Sequence, residues 1–560
     1  MVQKLTLKTL GLIITSALAI SSISSVIAGE KSLGQYWAEV GLTADFLKGP
    51  INSNECNSHS SIFIACIQAL NTIGGYAKPP VALVSSVEAS DIIYGKSLKT
   101  IGVLGLVELN PEGHEPAEDE DHFTIWQKIK ERRERQIKGL TAAFNFRNIT
   151  PINFELLLKE FKTRAMTTQN ESEVTAAAFN AFLAAAVDPH TRITPTQQNE
   201  ENMAEPDDRF VGIGIELKKI GKQTIVIAPI EGSPAHKAGI RANDVIVKIG
   251  KVNAETLDWD QTLKKIRGPV GTKVKFLIKR KKQFIKIEIT RGAVVQENVS
   301  YKLVQDTGIS FGYIKFRSFM DQSGCQKIAE AITSLEFMGA QGLILDLRGN
   351  LGGLLDQSIC IGGLFLGIDQ IVVRVKDLTN NQEQALRSQN NSITDLPMVV
   401  LIDAGSASAS EVLAGALQDH KRSWIAGDRS FGKATVQAVV PQPEGITFIG
   451  TVQRFYQPSG RTNQVIGITP DFELEPKPNA TEEDMFALRE ADLYTNALPA
   501  LSNPWEQTRL SDYFYIDDCV QNFGSAKEAF EEKQNDVFPP DYRLLVAQDI
   551  LACEPVNRRQ

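Results

Sequence analysis

A serine hydroxyl is a weak nucleophile at neutral pH and needs a base to take its proton. The run Gly405-Ser406-Ala407-Ser408-Ala409-Ser410-Glu411 offers such a serine. It follows the apolar segment 398–402, which reads as a buried strand, and leads into a helix expected over 411–417. A hydroxyl at this junction is exposed, and N–H groups at a helix start can hold negative charge. Ser-Ala-Ser is equally compatible with a tight turn carrying an N-cap. Histidine is the usual base, but His59, His114, His122, His190, His236 and His420 form no evident triad. His420, in Asp419-His420-Lys421, falls at the polar end of the expected helix and reads as a surface group. A lysine can act instead where burial disfavours its ammonium form. Phe431-Gly432-Lys433-Ala434 places Lys433 after a glycine turn, at the start of an apolar strand, where its amine can face inward.

These residues stand among others in a recognisable order. Leu345-Asp346-Leu347-Arg348-Gly349-Asn350-Leu351-Gly352-Gly353 precedes the serine run. Ala414-Gly415-Ala416-Leu417-Gln418-Asp419 follows it, then Phe431-Gly432-Lys433 with Gln437. Tyr456-Gln457-Pro458-Ser459-Gly460-Arg461 and Gly467-Ile468-Thr469-Pro470-Asp471 complete the series. Over roughly residues 140 to 500 the chain resembles the C-terminal processing peptidases, or tail-specific proteases, which are serine endopeptidases with a Ser–Lys dyad. The resemblance implies Ser408 as nucleophile, Lys433 as base and Gln437 as the residue orienting the amine. It implies an oxyanion hole from the Ala409 N–H and a glycine, Gly352 or Gly353, and a supporting role for Asp419. Asp403-Ala404 and Leu351 depart from the family pattern without removing a reacting group.

A second resemblance lies upstream. Phe210-Val211-Gly212-Ile213-Gly214-Ile215, Gly232-Ser233-Pro234-Ala235 and Asn243-Asp244-Val245-Ile246 resemble a PDZ domain covering 208–292. Such domains add a peptide's C-terminal strand to a sheet edge and hold its carboxylate in a nest of backbone N–H groups. The resemblance implies peptide binding at Gly212, Ile213, Gly214 and Ile215, and a coupling role for Arg267, which reads equally well as a surface charge beside a turn. Asp188-Pro189-His190-Thr191 reads as a helix stop.

The elements that must position these groups are legible in outline. A chain of 560 residues exceeds one core. Strands and helices alternate from 309 to 402, so the expected fold is multidomain α/β: a peptidase core with a parallel-rich sheet, an inserted PDZ β-rich domain, and helical N- and C-terminal regions. The expected divisions are a signal peptide at 1–28, an N-terminal region without assigned chemistry at 29–121 and a helical domain at 122–207. The PDZ domain at 208–292, the core at 293–480 and a helical tail at 481–560 follow. The first segment has Lys4 and Lys8 before an apolar stretch and Val26-Ile27-Ala28 before a cleavage site. That predicts export, to a bacterial periplasm, with an uncleaved membrane anchor as the alternative. Acidic 110–121 reads as a linker, and 127–138 as a charged helix.

The net charge of −8 argues against a nucleic-acid partner, which requires a basic footprint. Cys56 with Cys66, and Cys519 with Cys553, are spaced to close loops in an oxidising compartment. Cys325 and Cys360 read as buried thiols. The absence of HExxH, P-loop and Rossmann patterns implies no metal, nucleotide or other cofactor. The expected partners are proteins or peptides with exposed apolar C-termini, with an adaptor or a second copy of the chain as further candidates. Three functions compete: an ATP-independent endopeptidase, an inert PDZ scaffold, and an exported esterase-like hydrolase using a histidine.

Overall fold

The computed structural model describes residues 37–554 apart from 57–61, 78–80, 86–94, 102–103, 110–153, 204–208, 481–486, 494–497, 499–509, 534–539 and scattered single residues or pairs. The leader at 1–28, the linker at 110–121 and the helix expected at 127–138 lie outside the described residues.

Met398–Ile402 is a run of five apolar residues, all buried. Successive side chains of a strand point to opposite faces, so such a run requires a sheet covered on both sides. The strand lies inside a six-stranded sheet. The order is Val299–Asp306, Ile309–Phe316, Leu343–Asp346, Met398–Ile402, Trp424–Gly427 and Phe472–Glu473, with only the first pair antiparallel. On one face, Leu343, Leu345, Val400 and Ile402 pack against Ile332, Ile361 and Leu413 of the helices Gly324–Phe337, Leu355–Leu366 and Ala409–Asp419. On the other, Ile344, Val399, Leu401 and Trp424 pack against Ile516, Val546 and Ile550 of the C-terminal helices Leu510–Phe523 and Tyr542–Cys553. The C-terminal tail thus forms the third layer of the core.

A second sheet carries the far side of the site. Its order is Glu383–Arg387, Ile371–Asp377, Ile446–Tyr456 and Thr435–Pro441, and Arg192–Pro195 also pairs with Ile446–Tyr456. Arg192–Pro195 follows the Ala-rich helix Glu171–Ala186, which ends just before Asp188-Pro189 as expected. That helix shares a core with Phe63–Gly75 and Phe154–Ala165.

Between these parts sits a β-rich insert with its own core around Val226, Ile246, Phe276 and Ile278. Its main sheet runs Gln283–Thr290, Lys273–Arg280, Val245–Ile249, Gln223–Pro229 and Ile215–Ile220, which leaves Ile215–Ile220 at an edge. Both ends of the insert meet in an antiparallel ribbon of Arg209–Gly212 with Gly292–Val295. Val81–Ser85, Leu104–Leu109 and Gly95–Ile101 form a three-stranded antiparallel sheet in the N-terminal region, so the helical N-terminal region expected from the sequence holds for Phe63–Gly75 but not for this stretch.

The structure forms the disulfides Cys56–Cys66 and Cys519–Cys553. It corrects the reading of Cys325 and Cys360 as thiols: they too form a disulfide. The helices Gly324–Phe337 and Leu355–Leu366 lie side by side on the same sheet face, which brings the two sulfurs together across 35 residues of chain. Among the described residues no helix is long and apolar enough to cross a membrane.

Candidate active site

The strand Met398–Ile402 ends in a turn whose three serines have different fates. Ser406 Oγ donates to Leu347 O at 2.9 Å, and Ser410 Oγ donates to Asn350 O at 2.7 Å; both residues are fully buried. Ser408 between them is half-buried, and its hydroxyl donates to no backbone carbonyl among the described residues. Its backbone takes φ 55° and ψ −114°, a positive-φ conformation that a non-glycine residue adopts at a cost of about 1–3 kcal/mol. The chain then enters the helix Ala409–Asp419.

Glu411, in the first turn of that helix, holds the strained turn in place. The residue is fully buried. Its Oε2 accepts from Ser408 N at 2.8 Å and Lys433 N at 2.9 Å. Its Oε1 accepts from Gly432 N at 2.8 Å and Ser430 Oγ at 2.6 Å. Burial pushes this carboxyl up to about 7, against the pull of those four donors toward its ionised form. One side chain therefore ties the backbones of Ser408 and Lys433 together.

Lys433 leads into the strand Thr435–Pro441. Burial lowers its amine to about 8, opposed by the charges of Glu490, Glu411 and Asp188. The amine donates to Gln437 Oε1 at 2.7 Å and to Thr435 O at 3.2 Å, and makes no hydrogen bond to Ser408 Oγ among the described residues. Gln437 Nε2 donates in turn to Thr435 Oγ1 at 2.9 Å and Thr451 Oγ1 at 3.1 Å.

The loop 347–353 approaches from the neighbouring strand Leu343–Asp346. Gly352 has φ 94°, and a Cβ there would stand 2.6 Å from Ala407 O, 2.8 Å from Ala409 N and 2.9 Å from Ser408 Cβ, so only glycine fits. Gly352 N–H is already donated to Asn350 Oδ1 at 2.9 Å. Ala409 N–H and Gly353 N–H have no acceptor among the described residues. Asp403 fastens this loop to the serine turn, its Oδ1 accepting from Gly349 N at 2.8 Å and Gly405 N at 2.9 Å.

Ser408, Ala409, Gly352, Gly353, Lys433 and Gln437 are thus gathered around one backbone framework. Asp419 is not: it ends the eleven-residue helix that starts at Ala409, about 15 Å along its axis, where it accepts from Arg461 Nε at 2.8 Å and Ser459 N at 2.8 Å. His420 contacts Ile371 O at 2.8 Å. His190 Nε2 lies 2.8 Å from Glu490 Oε1. In the insert, Gly214 has φ 73°, and a Cβ there would stand 2.3 Å from Ser233 Cβ. Its carbonyl accepts from Ser233 Oγ at 2.9 Å and Ile230 N at 3.0 Å, which locks the loop Gly212-Ile213-Gly214 onto Ser233-Pro234 ahead of the edge strand. Arg267 is exposed after the helix Trp259–Ile266.

Sequence reasoning gave no role to Glu411, Asp403, Thr451 or Glu490. The signal for Glu411 was its place three residues after Ser408 at a helix start, a capping-box spacing.

The sequence profile of Peptidase family S41 matches residues 310–474, and that of the PDZ domain matches residues 225–280. A carboxy-terminal-processing protease of Bartonella bacilliformis is 34% identical over 346 residues, 60% of this chain and 78% of that one. A carboxyl-terminal-processing protease of Synechocystis is 33% identical over 360 residues, 63% of this chain and 82% of that one. A probable CtpA-like serine protease of Staphylococcus haemolyticus is 32% identical over 309 residues; the match spans 55% of this chain and 61% of that relative's length. Among solved structures, a photosystem II D1 C-terminal processing protease matches at 27% identity, covering 65% of this chain and 96% of that one, with a TM-score of 0.42.

Proposed function

Because the chain belongs to the carboxyl-terminal-processing proteases, a family of PDZ-containing serine proteases, we propose that it is an exported, ATP-independent endopeptidase that grips protein C-terminal tails and cuts them through a Ser408–Lys433 dyad. Ser408 Oγ bonds to the scissile carbonyl carbon while its proton passes to the neutral Lys433 amine. The carbonyl electron pair moves onto oxygen, facing the N–H groups of Ala409 and Gly353. Collapse of that adduct breaks the C–N bond, and the leaving nitrogen takes the proton from Lys433. Water then attacks the acyl-enzyme, giving its proton to Lys433, and the released Ser408 oxygen recovers it.

The observation that carries this reading is the contrast among the three serines, since Ser406 and Ser410 spend their hydroxyls on backbone carbonyls and Ser408 does not. Proton transfer requires the Lys433 amine to turn from Thr435 O toward Ser408. The open edge of Ile215–Ile220 beside Gly212-Ile213-Gly214-Ile215 supports strand addition by a peptide. Three disulfides support an oxidising destination.

The test compares wild type with Ser408→Ala on a peptide ending in an apolar tail, with products read by mass spectrometry. Loss of cleavage with retained peptide binding is expected. Equal product from both proteins would sink the dyad, and a wild type that binds without cutting would leave a scaffold.

A further inference from the structure

We infer that Asp188, acting through Thr451, is a positioning residue that fixes which end of the Gln437 amide faces the Lys433 amine. The inference rests on the dyad proposed above and extends it to Asp188-Pro189-His190-Thr191, which the sequence presents as a helix stop.

Asp188 is buried, 1% exposed, and its contacts have a defined direction. Oδ1 accepts from Thr451 Oγ1 at 3.0 Å and from His190 N at 2.8 Å; Oδ2 accepts from Thr191 Oγ1 at 2.8 Å. Thr191 Oγ1 accepts in turn from Thr451 N at 3.3 Å. A carboxylate only accepts, so the single proton of Thr451 Oγ1 is committed to it. Toward Gln437 the Thr451 oxygen therefore offers lone pairs alone. The amide must then present Nε2 to Thr451, at 3.1 Å, and Oε1 to Lys433, at 2.7 Å. The strand register assists: a bulge between Val436 and Gln437 sets Gln437 directly across from Thr451. The Gln437 amide meets Lys433 through Oε1 and Thr435 through Nε2, which gathers the three residues on one side of the turn into the strand.

Replacing the Asp188 carboxylate by a carboxamide removes the direction. The new NH2 group could donate to Thr451, which would then donate to Gln437, and the flipped Gln437 amide would turn its own NH2 toward Lys433. The charges that act on the Lys433 amine are those of Glu490 at the start of Glu490–Leu493, Glu411 on the Ala409 helix, Asp188 after the Ala-rich helix, and Arg192 on the strand that follows it. Among these groups only Arg192 disfavours the ammonium form, as burial itself does. Loss of the Asp188 charge therefore lowers the pH at which the base becomes neutral.

The experiment measures kcat and KM for tail-peptide cleavage across roughly pH 6 to 10 for the full chain and its Asp188→Asn, Thr451→Val and Thr451→Ser variants. Asp188→Asn is expected to cut kcat on the order of 10- to 100-fold with KM little changed, and to move the acid limb of the profile to lower pH. Thr451→Val is expected to lose kcat comparably, and Thr451→Ser to recover it by restoring the hydroxyl. A partly unfolded variant loses amplitude at every pH but keeps the limb in place. An Asp188→Asn limb at the wild-type position, or Thr451→Ser as impaired as Thr451→Val, would overturn the inference. Cleavage surviving in Ser408→Ala would instead overturn the dyad beneath it.

Discussion

The Lys433 amine owes its chemistry to enclosure, since burial lowers it to about 8 and three nearby carboxylates keep it from falling further. Its base form is the neutral one, so kcat/KM should climb as pH rises through that value and fall away below it. Lys433→Arg should cost on the order of 100- to 10,000-fold in kcat with the fold intact, because a guanidinium does not deprotonate in this range. A pH-rate profile and a circular dichroism melt check both statements. Glu411 presents the opposite case, a carboxylate whose four contacts are all donors. Glu411→Gln turns an NH2 group against part of that set, and each unsatisfied donor costs about 1–3 kcal/mol. A lower urea midpoint and strongly reduced turnover are expected together. The serine turn and the lysine were visible from residue type and spacing. Three of the four partners of Glu411 were not, because they lie 19 to 22 residues downstream, at Ser430, Gly432 and Lys433, and meet it only through tertiary packing.

Among the elements, the helices Gly324–Phe337 and Leu355–Leu366 are joined by Cys325–Cys360, and the second helix starts two residues after Gly353. Closing a 35-residue loop restricts the unfolded chain by an amount worth about 3–4 kcal/mol. The double variant Cys325→Ala, Cys360→Ala should therefore melt well below wild type in a calorimetric scan. A melt unchanged by the substitution would show that the cross-link adds nothing. The apolar run at 398–402 predicted the strand Met398–Ile402 at its observed bounds. Pairing of these two cysteines escaped the sequence because it depends on which helices become neighbours over the sheet. Asp419 is a different case: the helix expected from the sequence after Ser408 already carries it away from that serine along the helix axis.

Across the whole molecule, the described C-terminal helices cover a sheet face that includes Trp424, Val399 and Leu401. A chain ended at residue 509 leaves that face bare. It should partition into the insoluble fraction to a greater extent than the full chain expressed alongside it; a truncation as soluble and active as the full chain would show the layer to be dispensable. Charge reinforces the same seam: Arg348 donates to Asp346 Oδ2 at 2.7 Å within the core and to Asp541, which caps the last helix. The sequence marked the tail as helical but gave no sign of what it covers, since a layer's partner is a matter of topology.

The ribbon of Arg209–Gly212 with Gly292–Val295 works as a common axle for the insert. One of its strands continues back toward Arg192–Pro195 and Asp188, beside the base; the other runs on into Val299–Asp306 and Ile309–Phe316, next to the strand that ends at the glycine loop. The insert's two points of attachment are therefore hydrogen-bonded to each other, so a substitution that unpairs this ribbon is expected to loosen both at once.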